Sequence, residues 1–368
     1  MNNPRIIISG GGTGGHIFPA LSIAGSIKDL CPEADILFVG AEGKMEMERV
    51  PAAGYKIIGL PVAGLQRSLS LKNLALPAKL AKSVRRAGEI IRDFKPDVAV
   101  GVGGYASAPL LWSASHKGIP CLIQEQNSFA GLTNRILSKR AACICTAYEG
   151  MERFFPADRI ILTGNPIRKE IAPATKEQRE EGYRFYGLDP DKKTLFVVGG
   201  SLGCGTLNRV MRAWVERRAA QADYQVIWQC GKFYKQGVDE FMAGRSVPNL
   251  VYTDFIQRMD LAYAVADLLV SRAGAGTISE LCVAGKATIF VPSPNVSEDH
   301  QTHNAMALVD KNAAIMVRDA EAEAKLIDTV EGLIDDEARL ADLELNILKL
   351  GRKDASEVIA KEVLKLVK

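Results

Sequence analysis

Features that would assign this chain to a membrane-spanning, secreted or nucleic-acid-binding class are missing from its 368 residues. No run of about 18 apolar residues occurs, so we expect no transmembrane helix. The apolar stretch Ile6–Ser9 near the start is too short for a secretory signal and runs directly into glycines. The net charge of +3 is too mild to indicate nucleic acid as a partner.

Cysteine and histidine occur, but not in the spacings that mark disulfides or metal sites. The odd number of cysteines, with no C-x-x-C pair, is typical of small core residues in a reducing cytoplasm. The seven are Cys31, Cys121, Cys143, Cys145, Cys204, Cys230 and Cys282. His300 and His303 are three residues apart without a third ligand at a familiar interval, and Asp189-Pro190-Asp191 indicates a surface turn. We therefore expect no metal and no other cofactor.

The first strong pattern is a glycine loop between an apolar stretch and a helix. Ile6–Ser9 predicts a buried strand, the run Gly10–His16 follows, and Ile17–Ala24 predicts a helix. Glycines turn tightly and bring backbone N–H groups close to an anion, and the helix start adds the positive end of its dipole. This order predicts a phosphate site with a titratable side chain, His16, at the helix start.

The same loop satisfies the G-x-G-x-x-G fingerprint of dinucleotide sites. Such sites also need an acid at the end of the second strand, about 20 residues on, to bind the ribose. Here the second strand ends at Gly40, Asp35 precedes it, and Glu42 and Glu46 come late. NAD or FAD binding is therefore disfavoured.

Strands that end in glycine or polar residues alternate with helices through both halves of the chain. The predicted strands of the first half are Ile6–Ser9, Ile36–Val39, Lys56–Leu60, Asp97–Val102, Pro120–Ile123 and Ala142–Thr146. Those of the second half are Leu195–Val198, Tyr224–Gln229, Leu250–Tyr252, Leu268–Ser271 and Thr288–Val291. The pattern predicts an α/β protein of two Rossmann-like domains, each with a doubly wound parallel sheet, facing each other across a cleft. The tail Ala355–Val367 predicts an amphipathic helix.

Two residues of the first half are candidate general bases. The cationic form of His16 is disfavoured beside a helix N-terminus, so a neutral imidazole could deprotonate a sugar hydroxyl. Glu125 stands at a predicted strand end, where Asn127 is a candidate for holding sugar hydroxyls, and Tyr105 follows the end of another strand. The alternatives are a capping or packing histidine and a Glu125 that satisfies the local backbone.

The second half repeats the phosphate-binding pattern at Ser201–Gly203. Further on, Ser271–Glu280 predicts a strand end, a loop of small residues and a helix start, with Glu280 placed to accept two ribose hydroxyls. The alternative is a capping box between Thr277 and Glu280. The polar strip Glu298–Asn304 indicates a helix start that binds sugar hydroxyls.

The segment Gly64–Lys95 carries many basic residues with leucines between them and only two acidic residues, Glu89 and Asp93. Such a segment suits contact with an anionic membrane surface. An ordinary solvated helix with leucines facing the core explains the pattern equally well.

Together these motifs resemble the MurG family, the UDP-N-acetylglucosamine:undecaprenyl-pyrophosphoryl-MurNAc-pentapeptide N-acetylglucosaminyltransferases of bacterial peptidoglycan synthesis. The matching motifs follow in order over nearly the whole chain and are Gly11–Leu21, Gly103–Tyr105, Gln124–Asn127, Gly164–Arg168, Gly199–Gly203 and Arg272–Glu280.

The resemblance implies a GT-B fold and an inverting, metal-independent transfer of GlcNAc from UDP-GlcNAc to the 4-hydroxyl of lipid I, which forms lipid II. It implies that residues 1–165, with the helix 352–368 packed back on them, form an acceptor-binding and membrane-facing domain. Residues 166–351 would bind UDP-GlcNAc. The protein would work peripherally at the cytoplasmic face of the inner membrane.

The resemblance also implies substrate contacts for the residues at the matching motif positions. For the phosphates these are Thr13, Gly14, Gly15, Arg168 and Ser201. For the GlcNAc they are Asn127 and either His300 or Gln301, and Tyr105 is a further substrate contact. For the nucleotide they are Ile256, through its backbone to the uracil, Glu280 to the ribose, and the helix start Ala275, Gly276, Thr277, Ile278 and Ser279.

Other classes stay open at this point. They are a GT-B glycolipid synthase acting on diacylglycerol, an NAD-dependent oxidoreductase, and a non-catalytic protein that binds nucleotide sugars or lipids.

Overall fold

The computed structural model describes residues 3–62, 76–104, 106–200 and 202–367 of the chain. They form two compact units. Unit 1 contains the described residues up to Ile167 and those from Arg352 onward, and unit 2 runs from Arg168 to Gly351. The sequence-based boundaries were residues 165/166 and 351/352. The chain thus leaves unit 1, builds unit 2 and returns.

Unit 1 is built on a parallel sheet. Its strands in the described part of the chain are β1 (Arg5–Ser9), β2 (Asp35–Ala41), β3 (Lys56–Leu60), β4 (Val98–Gly101), β5 (Cys121–Glu125), β6 (Cys143–Thr146) and β7 (Ile160–Leu162). They lie in the order β3-β2-β1-β4-β5-β6-β7. Its helices are α1 (Gly14–Leu30), α2 (Glu46–Ala52), α3 (Leu76–Phe94), α4 (Ser107–His116), α5 (Leu132–Leu137) and, after unit 2, α14 (Ala355–Lys365).

Unit 2 repeats this plan. Its strands are β8 (Thr194–Val198), β9 (Gln225–Gln229), β10 (Leu250–Thr253), β11 (Leu268–Ser271), β12 (Thr288–Phe290) and β13 (Ile315–Met316), in the parallel order β10-β9-β8-β11-β12-β13. Its helices are α6 (Lys176–Tyr186), α7 (Gly205–Arg217), α8 (Lys235–Met242), α9 (Met259–Val265), α10 (Ala275–Ala284), α11 (His300–Val309), α12 (Ala322–Ile334) and α13 (Glu337–Leu348).

The predicted doubly wound α/β fold is confirmed in both units. The strands around the centre of each sheet are apolar and buried because helices cover both faces. In both units the strand order reverses beside the first strand, where ligands of such sheets bind beyond the carboxyl ends. The edge strands β7 and β13 were not predicted. They are three and two residues long, too short for a clear periodic pattern.

Each unit fixes the beginning of its central strand with an aspartate. In unit 1, Asp97 Oδ2 accepts a hydrogen bond of 2.8 Å from the N–H of Arg5, the first residue of β1. In unit 2, Asp267 Oδ2 accepts one of 2.8 Å from the N–H of Thr194, the first residue of β8. Each aspartate directly precedes the neighbouring strand, so the same contact joins equivalent strands.

The helix α14 belongs to the core of unit 1. Its residues Ile359, Ala360 and Val363 are fully buried in the cluster that α1 forms with the sheet. The apolar spacing of this tail predicted such packing. In the described ranges, no helix combines the length and the apolar character that crossing a bilayer requires.

Replacing Ile359 by Ala should lower the free energy of unfolding by about 2–5 kcal/mol, because it leaves a cavity between α14 and α1. Lys361→Ala, an exposed change on the same helix, is the matched control. Urea unfolding followed by circular dichroism measures both. Equal stability of the two variants would show that α14 contributes no packing energy to unit 1.

Candidate active site

His16 lies in the first turn of α1, directly after the glycine loop of unit 1. Its Nδ1 is 3.2 Å from the carbonyl oxygen of Gly11 and 3.3 Å from Thr13 Oγ1. A carbonyl oxygen only accepts hydrogen bonds, so Nδ1 carries the proton. In the neutral ring Nε2 is therefore the nitrogen that can accept a proton. Thr13 is the N-cap residue, and Gly14 and Gly15 begin the helix.

The turn after β4 closes onto this loop, as expected for strand ends on one side of a sheet. Gly103 and Gly104 have φ of +96° and +88°. A Cβ on Gly103 would lie 2.7 Å from His16 Nε2, and one on Gly104 would lie 2.2 Å from the Gly11 carbonyl oxygen. Only glycine therefore fits at these two positions. Tyr105, the next predicted site residue, lies outside the described residues.

Sequence reasoning noted Glu46, the first residue of α2, only as an acid that comes too late to bind a ribose. Its side chain is fully buried, and both carboxylate oxygens accept from the N–H of Gly12, at 3.1 and 3.0 Å. Oε1 also accepts from the N–H of Ala41 at 2.9 Å. An acid does follow the second strand, but it binds the glycine loop itself. This contact takes a backbone donor that a dinucleotide phosphate would need.

Glu125, at the end of β5, orders the loop that follows it. Oε1 accepts from the N–H of Asn127 at 3.0 Å and from its side-chain amide at 3.3 Å. Oε2 accepts from Asn134 Nδ2 at 2.8 Å and from the N–H of Gly131 at 3.3 Å. Burial raises the pKa of the Glu125 carboxyl, and these hydrogen bonds lower it in part. The contacts match the alternative role foreseen for Glu125, that of satisfying the local backbone.

A second buried polar network joins β5 to the chain that leaves unit 1. Gln124 Nε2 donates to Asn165 Oδ1 at 2.9 Å, and Asn165 Nδ2 donates to the Gln126 carbonyl oxygen at 3.0 Å. Gln126 Nε2 in turn donates to the Val102 carbonyl oxygen at 2.6 Å. These amides were noted only as parts of motifs. They tie the strand end at Asn127 to the one at Gly103.

In unit 2, two predicted site residues bind each other. Arg168 Nε and Nη2 donate to the two oxygens of Glu280, at 2.7 and 2.5 Å. Tyr263 Oη also donates to Glu280, at 3.3 Å. Burial and the charge of Glu280 raise the pKa of Tyr263 well above its usual value, so the phenol stays protonated and donates. Glu280 is thereby held in one orientation, with Arg168 directly beside it.

Helix α10, which carries Glu280, begins earlier than a capping box at Thr277 would require. The N-cap of α10 is Gly274, without a side-chain cap, so Thr277 lies inside the helix. The capping box between Thr277 and Glu280 is therefore wrong, because the helix begins at Ala275. The N–H groups of Ala275, Gly276 and Thr277 belong to the first turn, where no intrahelical acceptor exists for them. Ile278 is buried, and Ser279 is half-buried beside Glu280.

The glycine loop after β8 is held by Gln229, which the sequence analysis did not single out. Its Oε1 accepts from the N–H of Gly199 at 3.1 Å, and its Nε2 donates to the carbonyl oxygens of Gly200 and Asp254, both at 2.9 Å. The side chain thus joins the ends of three neighbouring strands. Ile256 is buried two residues after Asp254. Ser201 lies outside the described residues.

Of the two residues between which the sequence could not choose, Gln301 has a defined local contact. Its Oε1 accepts from the N–H of Ser293 at 2.9 Å and so fixes the loop that follows β12. His300 begins α11, after two residues, Glu298 and Asp299, with φ of +55° and +48°. In the described residues, no group of three or more His, Cys, Asp or Glu side chains is placed to hold a metal ion.

Known proteins similar to this chain agree in their descriptions. The family models "Glycosyltransferase family 28 N-terminal domain" and "Glycosyltransferase family 28 C-terminal domain" match residues 6–146 and 194–359. Two curated relatives carry the name UDP-N-acetylglucosamine–N-acetylmuramyl-(pentapeptide) pyrophosphoryl-undecaprenol N-acetylglucosamine transferase. The one from Parabacteroides distasonis is 54% identical over 100% of this chain and 99% of its own. The one from Bacteroides thetaiotaomicron is 56% identical over 98% and 97%.

Glycosyltransferases are also among the solved structures that this chain resembles. The crystal structure of MurG from Acinetobacter baumannii superposes with a TM-score of 0.80 at 27% identity, over 98% of this chain and 99% of that one. The calicheamicin glycosyltransferase CalG4 superposes with a TM-score of 0.70 at 16% identity over 99% of each chain, which supports the fold alone.

Glu125→Gln should lower the free energy of unfolding by about 1–3 kcal/mol, because an amide NH₂ group would then face buried N–H donors. Glu152→Gln, an exposed change in the same unit, is the control. Urea unfolding of both variants measures the difference. A Glu125→Gln variant as stable as the control would contradict the role in loop ordering.

Proposed function

The chain belongs to the MurG family of UDP-N-acetylglucosamine–N-acetylmuramyl-(pentapeptide) pyrophosphoryl-undecaprenol N-acetylglucosamine transferases, and we propose in detail how its residues perform that transfer. The protein is a glycosyltransferase that moves GlcNAc from UDP-GlcNAc to the lipid-linked MurNAc-pentapeptide. The observation that carries this assignment is identity above 50% over the full length of relatives that bear this one name. The MurNAc 4-hydroxyl attacks the anomeric carbon while UDP leaves, with inversion.

His16 is the proposed general base. Its ring is fixed through Nδ1 by the Gly11 carbonyl, which leaves Nε2 as the nitrogen that takes the hydroxyl proton. Glu125 is proposed to position Asn127 instead of acting as the base, because four N–H contacts engage its two oxygens. Asn127 would then present its side chain to the GlcNAc. Thr13, Gly14 and Gly15 would offer the helix start to a phosphate.

Unit 2 is proposed to bind the UDP moiety. The carboxylate of Glu280 is oriented by Arg168 and Tyr263 and suits two vicinal ribose hydroxyls. The guanidinium of Arg168 and the first N–H groups of α10, from Ala275 to Thr277, would stabilise the growing charge on the diphosphate. Ser201 would add to these contacts, and the backbone of Ile256 would bind the uracil. Gln301, with His300, would approach the sugar.

We also propose that unit 1 contacts an anionic membrane surface, which brings it to a lipid-linked acceptor at the cytoplasmic face of the inner membrane. In the described part of the segment Gly64–Lys95, α3 exposes a row of basic side chains, Lys79, Lys82, Arg85 and Arg86. The apolar side chains of Leu80 on α3 and Trp112 on the adjoining α4 are 52% and 44% exposed. Basic and apolar side chains together favour an interfacial contact.

The wild-type protein should transfer radiolabelled GlcNAc from UDP-GlcNAc to a lipid-linked MurNAc-pentapeptide, and not to diacylglycerol. His16→Ala should lower kcat by about 10²- to 10⁴-fold, because the general base is lost. Binding of UDP-GlcNAc, measured by calorimetry, should be unchanged, and His116→Ala should behave like wild type. A loss below about tenfold with normal donor binding would remove His16 from the role of base.

A variant with Gln at Lys79, Lys82, Arg85 and Arg86 should bind anionic phosphatidylglycerol vesicles at least about tenfold more weakly, since each basic residue near such a surface contributes about 1 kcal/mol. Co-sedimentation measures the binding, and neutral phosphatidylcholine vesicles give the background. The matched control places Gln at four exposed lysines of unit 2, Lys176, Lys311, Lys325 and Lys349. Equal binding by the two variants would contradict a membrane contact through α3.

A further inference from the structure

A single peptide group connects a buried carboxylate to the proposed base. The peptide between Gly11 and Gly12 donates its N–H to both oxygens of Glu46, at 3.1 and 3.0 Å. The carbonyl of the same peptide faces His16 Nδ1 at 3.2 Å. The carboxylate, the peptide and the imidazole therefore form one continuous chain of hydrogen bonds.

Glycines at four positions make room for this arrangement. A Cβ on Gly11 would lie 2.2 Å from Glu46 Oε1, and one on Gly40 would lie 2.5 Å from Glu46 Cγ. Gly104 and Gly103 give the same room to the Gly11 carbonyl and to the ring of His16. Side chains are thus excluded along the whole path from Glu46 to the imidazole. The glycines of two motifs and of the end of β2 have one common explanation.

We propose that Glu46 is a positioning residue for the transfer reaction, acting on His16 through the Gly11–Gly12 peptide. This inference rests on the proposed role of His16. A carboxylate on the N–H side polarises the peptide and strengthens its carbonyl as an acceptor. The stronger acceptor holds the proton on Nδ1 and supports the positive charge that develops on the ring when Nε2 takes the hydroxyl proton. In serine hydrolases an aspartate does the same by direct contact with the histidine.

Glu46 also stabilises the loop, so the test needs a readout that loop stability alone would not change. The tautomer of His16 is such a readout, because it reports the hydrogen bond at Nδ1. The chain has four histidines, which keeps the spectrum of a ¹⁵N-histidine-labelled sample simple. The His16 signals are assigned by their loss in His16→Ala.

In wild type, the ¹⁵N imidazole spectrum of neutral His16 should show the proton on Nδ1. In Glu46→Gln, an isosteric change, the His16 signals should move towards a mixture of tautomers, while those of His116, His300 and His303 stay in place. Glu48→Gln removes the same charge from an exposed position of α2 and should leave all four unchanged. A wild-type His16 protonated on Nε2 would overturn the proposal, even if Glu46→Gln failed to fold.

Enzyme kinetics are the second test of the proposal. Glu46→Gln should lower kcat by about 10- to 100-fold, less than the roughly 10⁴-fold that loss of the directly bonded aspartate costs a serine hydrolase, because the contact here passes through a peptide group. The KM for UDP-GlcNAc should change by less than about twofold. In a protein that already carries His16→Ala, Glu46→Gln should lower kcat by less than about threefold. The effect of Glu46 passes through the imidazole ring, which that protein lacks. Equal losses in both backgrounds would show a structural role only.

The two arms separate the inference from the proposed function. If the wild-type protein transfers no GlcNAc to the lipid-linked acceptor, the proposed function fails while the tautomer measurement still tests the link to Glu46. If transfer occurs and Glu46→Gln leaves both the His16 spectrum and kcat unchanged, only the inference fails. Melting temperatures of all variants show how much folded protein each measurement contains.

Discussion

Parallel strands end in backbone N–H and C=O groups that the neighbouring strands cannot pair, and such groups are costly to bury unsatisfied. Both units of this protein meet the constraint with a buried side chain from an adjacent helix start or strand end. Glu46 binds the N–H groups of Gly12 and Ala41, and Gln229, at the end of β9, binds backbone groups after β8 and β10. These contacts fix the loops at the carboxyl edge of each sheet, where the proposed substrate contacts lie. The geometry of the site therefore follows from the need to complete the backbone hydrogen bonding of the fold.

The two units complete this backbone hydrogen bonding with side chains of different charge. The side chain beneath the first glycine loop is the carboxylate of Glu46, whereas the one beneath the second is the neutral amide of Gln229. An internal anion occupies a donor that a ligand phosphate would otherwise use, and its charge opposes a second anion nearby. A neutral amide imposes no such penalty. This contrast suits the proposal that the nucleotide diphosphate belongs to unit 2. In the first loop Glu46 occupies the N–H of Gly12, so the loop holds His16 and only the helix start at Thr13, Gly14 and Gly15 is left for a phosphate of the acceptor.

The sequence was sufficient to predict the fold class because the patterns that mark strands and helices are local. Apolar runs that end in glycine located the central strands, and the periodic tail predicted α14. The site was harder to predict. Hydrophobic periodicity does not tell which acid of the β2–α2 connection turns inward, so Glu46 was noted and set aside. The capping box at Thr277 was wrong for a related reason: the sequence pattern allows a helix start at Thr277 or before it, and the structure begins the helix at Ala275. The pairing of Arg168 with Glu280 joins residues 112 positions apart, beyond the reach of any local pattern.

The return of the chain to unit 1 sets the order in which the protein can fold during synthesis. Ile359, Ala360 and Val363 fill the core beside α1, yet they are translated after the whole of unit 2. Domains generally fold as units while the chain emerges, N-terminal parts first. Here the second unit can complete its core while the first, although begun earlier, still exposes the apolar surface of α1. The core beside α1, the helix whose first turn carries His16, is thus completed last, and its apolar surface is open to aggregation until α14 has been made.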